Sequence, residues 1–304
     1  MKTVGVVGLG DMGSGLALNL LKAGFEVRGY DLKPDRIDAF DKMGGTCCSS
    51  SAQVAQGAEA VFIMVMNGGE VNEVVFGSDG PPSNSTGGLT SSLDKGSAII
   101  VSATIKPSEM RQLDHDLEGM GFQLIDTPVS GGRPGAQGGT LTLMTAATND
   151  ALEYARPALE AVSGTIHHVG TEIGTGQTVK ACLQSLIGSI FGGAFEATAL
   201  AAKAGVPGQV LFDVFSTSAA GCGITNAAVS TVMDREFEGT GSHINTMHKD
   251  LTISMDMAME LGVPLFTAST AMQLFQAGRT KHPNGDNQVV AKISEEIVGT
   301  GLKR

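Results

Sequence analysis

The sequence predicts an α/β chain in which a doubly wound parallel sheet is followed by an all-α domain. Three observations lead there. Short apolar runs bounded by turn residues recur through the first half, with helical stretches between them. The first of these runs breaks into spaced glycines and then into an apolar helix. Beyond about residue 165, apolar positions recur at helical spacing without strand alternation.

In chain order, strands are expected at Val4–Gly8, Val27–Tyr30, Ala60–Met66, Ala98–Val101, Gln123–Ile125 and Thr140–Thr145. Strands that alternate with helices are joined by crossovers, so the sheet is expected to be parallel and covered on both faces. Gly77 to Gly96 is rich in Gly, Ser, Pro and Asn, lacks periodicity and reads as a surface loop. A long helix is expected from Gly174 to about Ala204, with Val179, Leu183, Leu186, Ile187, Ile190 and Phe191 as its apolar positions. Gly188, Gly192 and Gly193 within it each weaken the helix by roughly 1 kcal/mol. A close-packed partner, another helix or a second subunit, is therefore expected against that face. Further helices are expected at Val210–Phe215, Thr246–Leu261, Phe266–Ala277 and Val289–Val298. The domains are accordingly placed at 1–164 and 165–304, the second serving the substrate and oligomerisation.

At 304 residues and 42% hydrophobic content the chain can fill two cores. Its formal charge of −11, with no cluster of Lys and Arg, argues against a nucleic-acid partner. The four cysteines, Cys47, Cys48, Cys182 and Cys222, have no metal-ligand spacing, so reduced thiols and no metal are expected. No targeting segment is read at the start and no apolar run is read as approaching a membrane span, which together imply a cytoplasmic protein with no membrane partner.

The first chemistry-bearing motif is Gly8-Leu9-Gly10-Asp11-Met12-Gly13, between the first strand and the helix Leu16 to Ala23. The first glycine permits a tight turn, the second lets a pyrophosphate approach the backbone, and the third lets helix pack on strand. The helix N-terminus offers amides to the anion. This is a dinucleotide-binding (Rossmann) pattern. Asp31 follows Gly10 by 21 residues, at the end of the second strand, where a carboxylate accepts the ribose hydroxyls and repels a 2′-phosphate. That selects NAD over NADP, with Lys33 partly offsetting the repulsion.

A second constellation, Asp126-Thr-Pro-Val-Ser130-Gly131-Gly132 and onward to Thr140, follows the strand ending at Ile125. Pro128 and the glycines are read as forbidding a regular element. Ser130 with Gly131 and Gly132 is either a small nest for a carboxylate or a plain connector. Lys180 sits in the apolar start of the long helix, where an ammonium is costly unless used or paired. It is either a general acid/base whose pKa desolvation lowers, or a snorkelling side chain. Gln184 lies one turn further on, placed to hold a substrate hydroxyl. His248-Lys249-Asp250-Leu251 offers a second cation beside an acid, equally a solvated helix face.

Together these stretches resemble the β-hydroxyacid dehydrogenase family over nearly the whole chain. Gly8 to Gly13 with Asn19-Leu-Leu-Lys-Ala-Gly24 is similar to the family's N-terminal signature, and Asp126 to Gly132 to its substrate-binding signature. Gly174-Thr-Gly-Gln-Thr-Val-Lys180 is similar to its catalytic helix and His248 to Leu251 to a late cofactor-contacting segment. The resemblance implies that Lys180 is the catalytic acid/base and that Ser130, Gly131 and Gly132 hold a substrate carboxylate. It also implies that Met66, Asn67, Thr104 and Lys249 contact the cofactor. Two departures stand out: Leu183 where an Asn is usual, leaving Gln184 as the amide on that turn, and Val101-Ser-Ala-Thr104, which keeps only the Thr of the family pattern. The expected activity is hydride transfer between NAD and a short, anionic 3-hydroxycarboxylate such as hydroxyisobutyrate, glycerate or threonate, in a homodimer or homotetramer. An NADPH-dependent imine or semialdehyde reductase of the same architecture, and a non-catalytic dinucleotide-binding module, are the alternatives.

Overall fold

The computed structural model describes residues 1–78, 80 and 87–304; part of the expected Gly77–Gly96 loop lies outside the described residues. The chain divides into two compact units, Met1–Lys180 and Ala181–Arg304.

The first unit runs β1 (Thr3–Val7), α1 (Asp11–Lys22), β2 (Glu26–Tyr30), α2 (Pro34–Lys42), β3 (Thr46–Cys47), α3 (Ser51–Ala55), β4 (Ala60–Ile63), α4 (Gly68–Phe76), β5 (Ala98–Val101), α5 (Pro107–Leu117) and β6 (Gln123–Asp126). It continues with β7 (Val129–Ser130), α6 (Gly132–Gly138), β8 (Leu141–Ala146), α7 (Asn149–Val162) and β9 (Ser163–Gly170). The sheet order is β3-β2-β1-β4-β5-β6-β8-β7, with β9 on β8. From β3 to β6 every pairing is parallel, as the strand–helix alternation requires. At the far edge β8 runs antiparallel to β6 and β7, so the sheet is not parallel throughout. Alternation along each strand fills two cores. Val4, Val6, Phe62 and Ile100 face α1 and α7, whereas Val7, Val61, Ile63 and Ile99 face the side of α3, α4 and α5. The order reverses between β1 and β4, and in a doubly wound sheet ligands bind at the carboxyl ends of the strands at such a point.

Two expectations for this unit need correction. The segment from Asp126 to Thr140 is not devoid of regular structure: it holds β7 and the short helix α6. Pro134 falls in the first turn of α6, where its missing N–H is no loss. The small residues let α6 press onto α1: a Cβ on Gly15 would lie 2.6 Å from the Ala136 carbonyl carbon. The Asn19 amide, on α1, donates to the Ala136 carbonyl at 2.7 Å. Inside the expected surface loop, Leu89 is fully buried on a 3-10 turn (Leu89–Ser91).

The second unit is helical. α8 (Thr175–Ala204) starts in the first unit and continues as the opening helix of the second. It is followed by α9 (Gly208–Thr217), α10 (Gly223–Met233), α11 (Ile244–Leu261), α12 (Phe266–Lys281) and α13 (Val289–Val298). The division at Lys180/Ala181 lies beyond the expected 164/165 because β9 pairs with β8 and the start of α8 is tied to β6. Phe191, Phe195, Val232, Leu251, Phe275 and Val290 form this unit's core. The close packing expected on α8 is real at Gly188, where an added Cβ would meet Leu251 of α11 at 2.7 Å. Gly192 is in ordinary contact and Gly193 faces open space. Contrary to the sequence expectation, α8 is long and apolar enough to cross a membrane by length and composition, with mean hydropathy 1.3; it supplies Phe191 and Phe195 to the core.

Candidate active site

The turn after β1 is built as the glycine spacing demands. Gly8 has φ +90°, and a Cβ there would lie 2.2 Å from the Met64 carbonyl oxygen after β4. A Cβ on Gly13 would lie 1.7 Å from the Gly8 carbonyl oxygen, so the first turn of α1 closes on the strand end with no room for a methyl group. The nearest atoms above Gly10 belong to the flexible end of the Arg36 side chain, at 3.4 Å, on the face where backbone must be approached. Gly10 is the N-cap of α1 and supplies no side-chain cap, which leaves the first amides of the helix, Asp11 and Met12 among them, for an anion. Leu9 N–H donates to Asp31 Oδ2 at 2.8 Å and so ties the turn to the end of β2. These residues fit a dinucleotide.

The remaining predicted cofactor residues of this unit lie beyond the carboxyl ends of β4 and β5. Met66 is half exposed. Asn67 is the N-cap of α4: its Oδ1 accepts from Glu70 N–H at 2.9 Å and its amide donates to Glu70 Oε1 at 2.8 Å. Asn67 thus has a structural task at the start of α4. Thr104 sits between two residues held by one side chain. Ile105 N–H donates to Gln177 Oε1 at 3.1 Å, and Gln177 Nε2 donates to the Ala103 carbonyl at 3.0 Å and to Asp126 Oδ1 at 3.0 Å.

Asp126 is fully buried at the end of β6. Its Oδ2 accepts from Gly174 N–H at 2.9 Å and Gln177 N–H at 3.3 Å, at the start of α8. Burial pushes its carboxyl up to about 6, and the N–H donors from Gln177 and Gly174 only partly offset that. The network fixes the Thr104 loop to the first turn of α8, and Lys180, 6% exposed, follows Gln177 by three residues. Sequence reasoning missed Gln177 because nothing local marks a glutamine as buried. Ser130 is half-buried at the end of β7, and Gly131 and Gly132 are exposed where α6 begins.

A raised Asp126 carboxyl sets a sign. The folded state holds this proton more tightly than the unfolded chain, so the associated stability is present below about pH 4 and lost as pH rises through about 6. A shift of this size corresponds to roughly 3 kcal/mol. Denaturant unfolding of wild type and Asp126→Asn should show the wild-type stability falling relative to the variant by up to that amount across this window. A pH-independent difference would contradict the assignment.

In the second unit, Gln184 on α8 is buried and its amide donates to Asp250 Oδ2 on α11 at 2.6 Å. Lys249 Nζ lies 3.1 Å from Asp250 Oδ1. The acid beside Lys249 therefore joins both expected residues of this unit. Next to it, His248 has Nε2 2.7 Å from Gln276 Oε1 and Nδ1 3.2 Å from Arg279 Nη1. Burial, and then the Arg279 charge, hold its pKa below the usual histidine value, which suits a neutral ring joining α11 to α12.

The profile for the NAD binding domain of 6-phosphogluconate dehydrogenase matches residues 3–170. That for the NAD-binding region of NADP-dependent 3-hydroxyisobutyrate dehydrogenase matches residues 174–294. The chain is 34% identical over 302 residues to an L-threonate dehydrogenase of Escherichia coli strain CFT073, covering 99% of this chain and 97% of that one. It is 30% identical over 301 residues to a 2-(hydroxymethyl)glutarate dehydrogenase of Eubacterium barkeri, covering 98% and 97%. A crystal structure of a 3-hydroxyisobutyrate dehydrogenase from Salmonella typhimurium superposes with TM-score 0.86 at 32% identity, covering 96% of this chain and all of that one. With its glycine turn, doubly wound sheet and helical second unit, the chain belongs to the β-hydroxyacid dehydrogenase family and is an oxidoreductase that uses a nicotinamide dinucleotide.

Proposed function

We propose that the protein oxidises a short polyhydroxy carboxylate of the threonate type with NAD as the preferred cofactor, or reduces the corresponding carbonyl compound. The observation that carries the reading is the continuity of the first unit: a dinucleotide cradle at Gly8–Gly13, an acid at Asp31, and a buried Lys180 on a helix anchored through Asp126 and Gln177. The relatives named for threonate, hydroxymethylglutarate and hydroxyisobutyrate dehydrogenation support the substrate class.

A bound nicotinamide dinucleotide supplies the hydride acceptor or donor. Lys180 takes the proton from the substrate hydroxyl in oxidation and returns it in reduction. Ser130 with the amides of Gly131 and Gly132 receives the substrate carboxylate. Asp31 favours NAD through the adenosine ribose. Met66, Asn67, Thr104 and Lys249 complete the cofactor contacts. The Gln184 amide group, oriented by Asp250, accepts a further substrate hydroxyl. The first unit accordingly supplies most of the cofactor contacts, the carboxylate nest and Lys180, and the second adds Lys249, Gln184 and self-association. The protein is taken to be a cytoplasmic homo-oligomer, and exposed Leu200, Phe266 and Ile297 on the second unit support the self-association.

The test is reduced-dinucleotide formation from threonate, glycerate and hydroxyisobutyrate with NAD and with NADP. Threonate with NAD should give the highest kcat/KM, and failure to oxidise any of the three would overturn the reading. In the same assay, Gln184→Leu should lower kcat/KM on threonate relative to hydroxyisobutyrate by the worth of one hydrogen bond, about 0.5–1.5 kcal/mol. The variant also leaves Asp250 short of a donor, so a general loss of stability is expected. That loss falls equally on all substrates, and only the ratio reports on selection.

A further inference from the structure

The Asp31 carboxylate is already saturated. Oδ2 accepts from Leu9 N–H at 2.8 Å and from Arg36 Nη1 at 3.0 Å. Oδ1 accepts from Lys33 N–H at 2.9 Å and from Arg36 Nη1 at 3.3 Å. Two oxygens with about four acceptor sites between them have none left for the hydroxyls of a ribose. Of the donors present, Leu9 and Lys33 are backbone groups fixed by the turn and by the start of α2, and only Arg36 can leave.

A second observation places the same side chain over the glycine turn. The Cβ direction of Gly10 points at the Arg36 guanidinium, with Nη1 at 3.4 Å and both Cζ and Nη2 at 3.5 Å. Arg36 therefore stands at once in the ribose-acceptor positions of Asp31 and above the second glycine of the turn. It projects from the first turn of α2, its side chain is 37% exposed, and its charge offsets that of Asp31. Among the described residues its Nη2 and Nε donors have no protein acceptor, whereas a planar guanidinium binds a phosphomonoester through paired donors. Lys33 adds a second positive charge two residues from Asp31, and Asp35 is the nearby opposing one on α2.

We propose that Arg36 is the residue that sets the cofactor class, by exchanging between two acceptors. When the adenosine ribose carries free hydroxyls, Arg36 gives up Asp31 and the hydroxyls take its place. When the ribose carries a 2′-phosphate, Arg36 keeps its place beside Asp31 and its remaining donors engage the phosphate. The pocket thus accepts both forms of the dinucleotide, and the preference that Asp31 creates is a graded one. This deepens the proposed function and rests on the dinucleotide reading of the Gly8–Gly13 turn.

The experiment is calorimetric binding of ADP and of adenosine 2′,5′-bisphosphate to the full-length protein, wild type and Arg36→Ala, with no substrate or turnover involved. Wild type should bind both. Arg36→Ala should lose affinity for the bisphosphate by about tenfold or more, the loss expected for a charge-assisted hydrogen bond. Its affinity for ADP should be unchanged or increased, because the Asp31 oxygens are released. Equal losses for the two ligands, or wild type that binds ADP but not the bisphosphate, would overturn the role of Arg36. Wild type that binds neither would instead overturn the dinucleotide reading on which it rests.

Discussion

Lys180→Ala should lower turnover by ~10²–10⁴-fold while leaving dinucleotide affinity nearly intact, the loss typical of removing a positioned proton-transfer group. Lys180 is 6% exposed, on the turn of α8 after Gln177, and Gln177 is itself held by Asp126 and by the backbone on both sides of Thr104. An ammonium kept so far from solvent is costly unless it is paired or used. Removing it should not unfold the unit, because truncation to Ala takes a charge out of a buried place on a helix that Ala favours. The measurement is steady-state turnover beside dinucleotide titration. A variant that keeps more than about a tenth of wild-type turnover would show that Lys180 is not the acid/base.

The second large effect separates two glycines three residues apart. Gly13→Ala would place a methyl carbon 1.7 Å from the Gly8 carbonyl oxygen, a backbone clash that no rotamer relieves. The strand end and α1 would have to part, with destabilisation in the exceptional range of about 4–5 kcal/mol or more. The nearest atoms that Gly10→Ala meets are those at the flexible end of Arg36, at 3.4 Å, and its backbone, at φ −67°, suits any residue. That variant should fold normally, yet its methyl group would stand where a pyrophosphate approaches the backbone, and dinucleotide binding should be lost. Thermal unfolding and dinucleotide titration of both variants distinguish the cases. A stable Gly13→Ala, or a Gly10→Ala that binds the dinucleotide as wild type does, would contradict this account of the turn.

How much of this was legible in the sequence depended on how local the physics is. The β1–turn–α1 unit and Asp31 could be read because a tight turn, a close approach and a terminal acid each demand one residue type at one spacing; the contact between Leu9 and Asp31 sets the acid beside the turn. The long helix α8 and the helices after it follow from periodicity, although α10 was missed because Gly223 to Met233 is small and mixed in character. The reading of Asp126–Thr140 as irregular failed for a tertiary reason. Glycine and alanine weaken an isolated helix, but in α6 they permit the close approach to Gly15 and the Asn19 hydrogen bonds that hold it. β9 was not predicted as a strand because Ser163 to Gly170 is largely exposed and carries two histidines, and its pairing with β8 is supplied from elsewhere in the sheet. Gln177 and Arg36 were unreadable for the same reason: an amide bridging two strand ends and a guanidinium closing on a carboxylate are facts of three-dimensional placement.

The central claim is that a hydrogen moves with its electrons between a carbinol carbon of a short hydroxycarboxylate and the nicotinamide dinucleotide. The measurement that tests it most directly is turnover of threonate deuterated at its carbinol carbons, with recovery of the reduced dinucleotide for mass analysis. The account predicts deuterium in the recovered dinucleotide, carried there from the substrate. Reduced dinucleotide free of deuterium, or threonate consumed with none of the cofactor reduced, would contradict it.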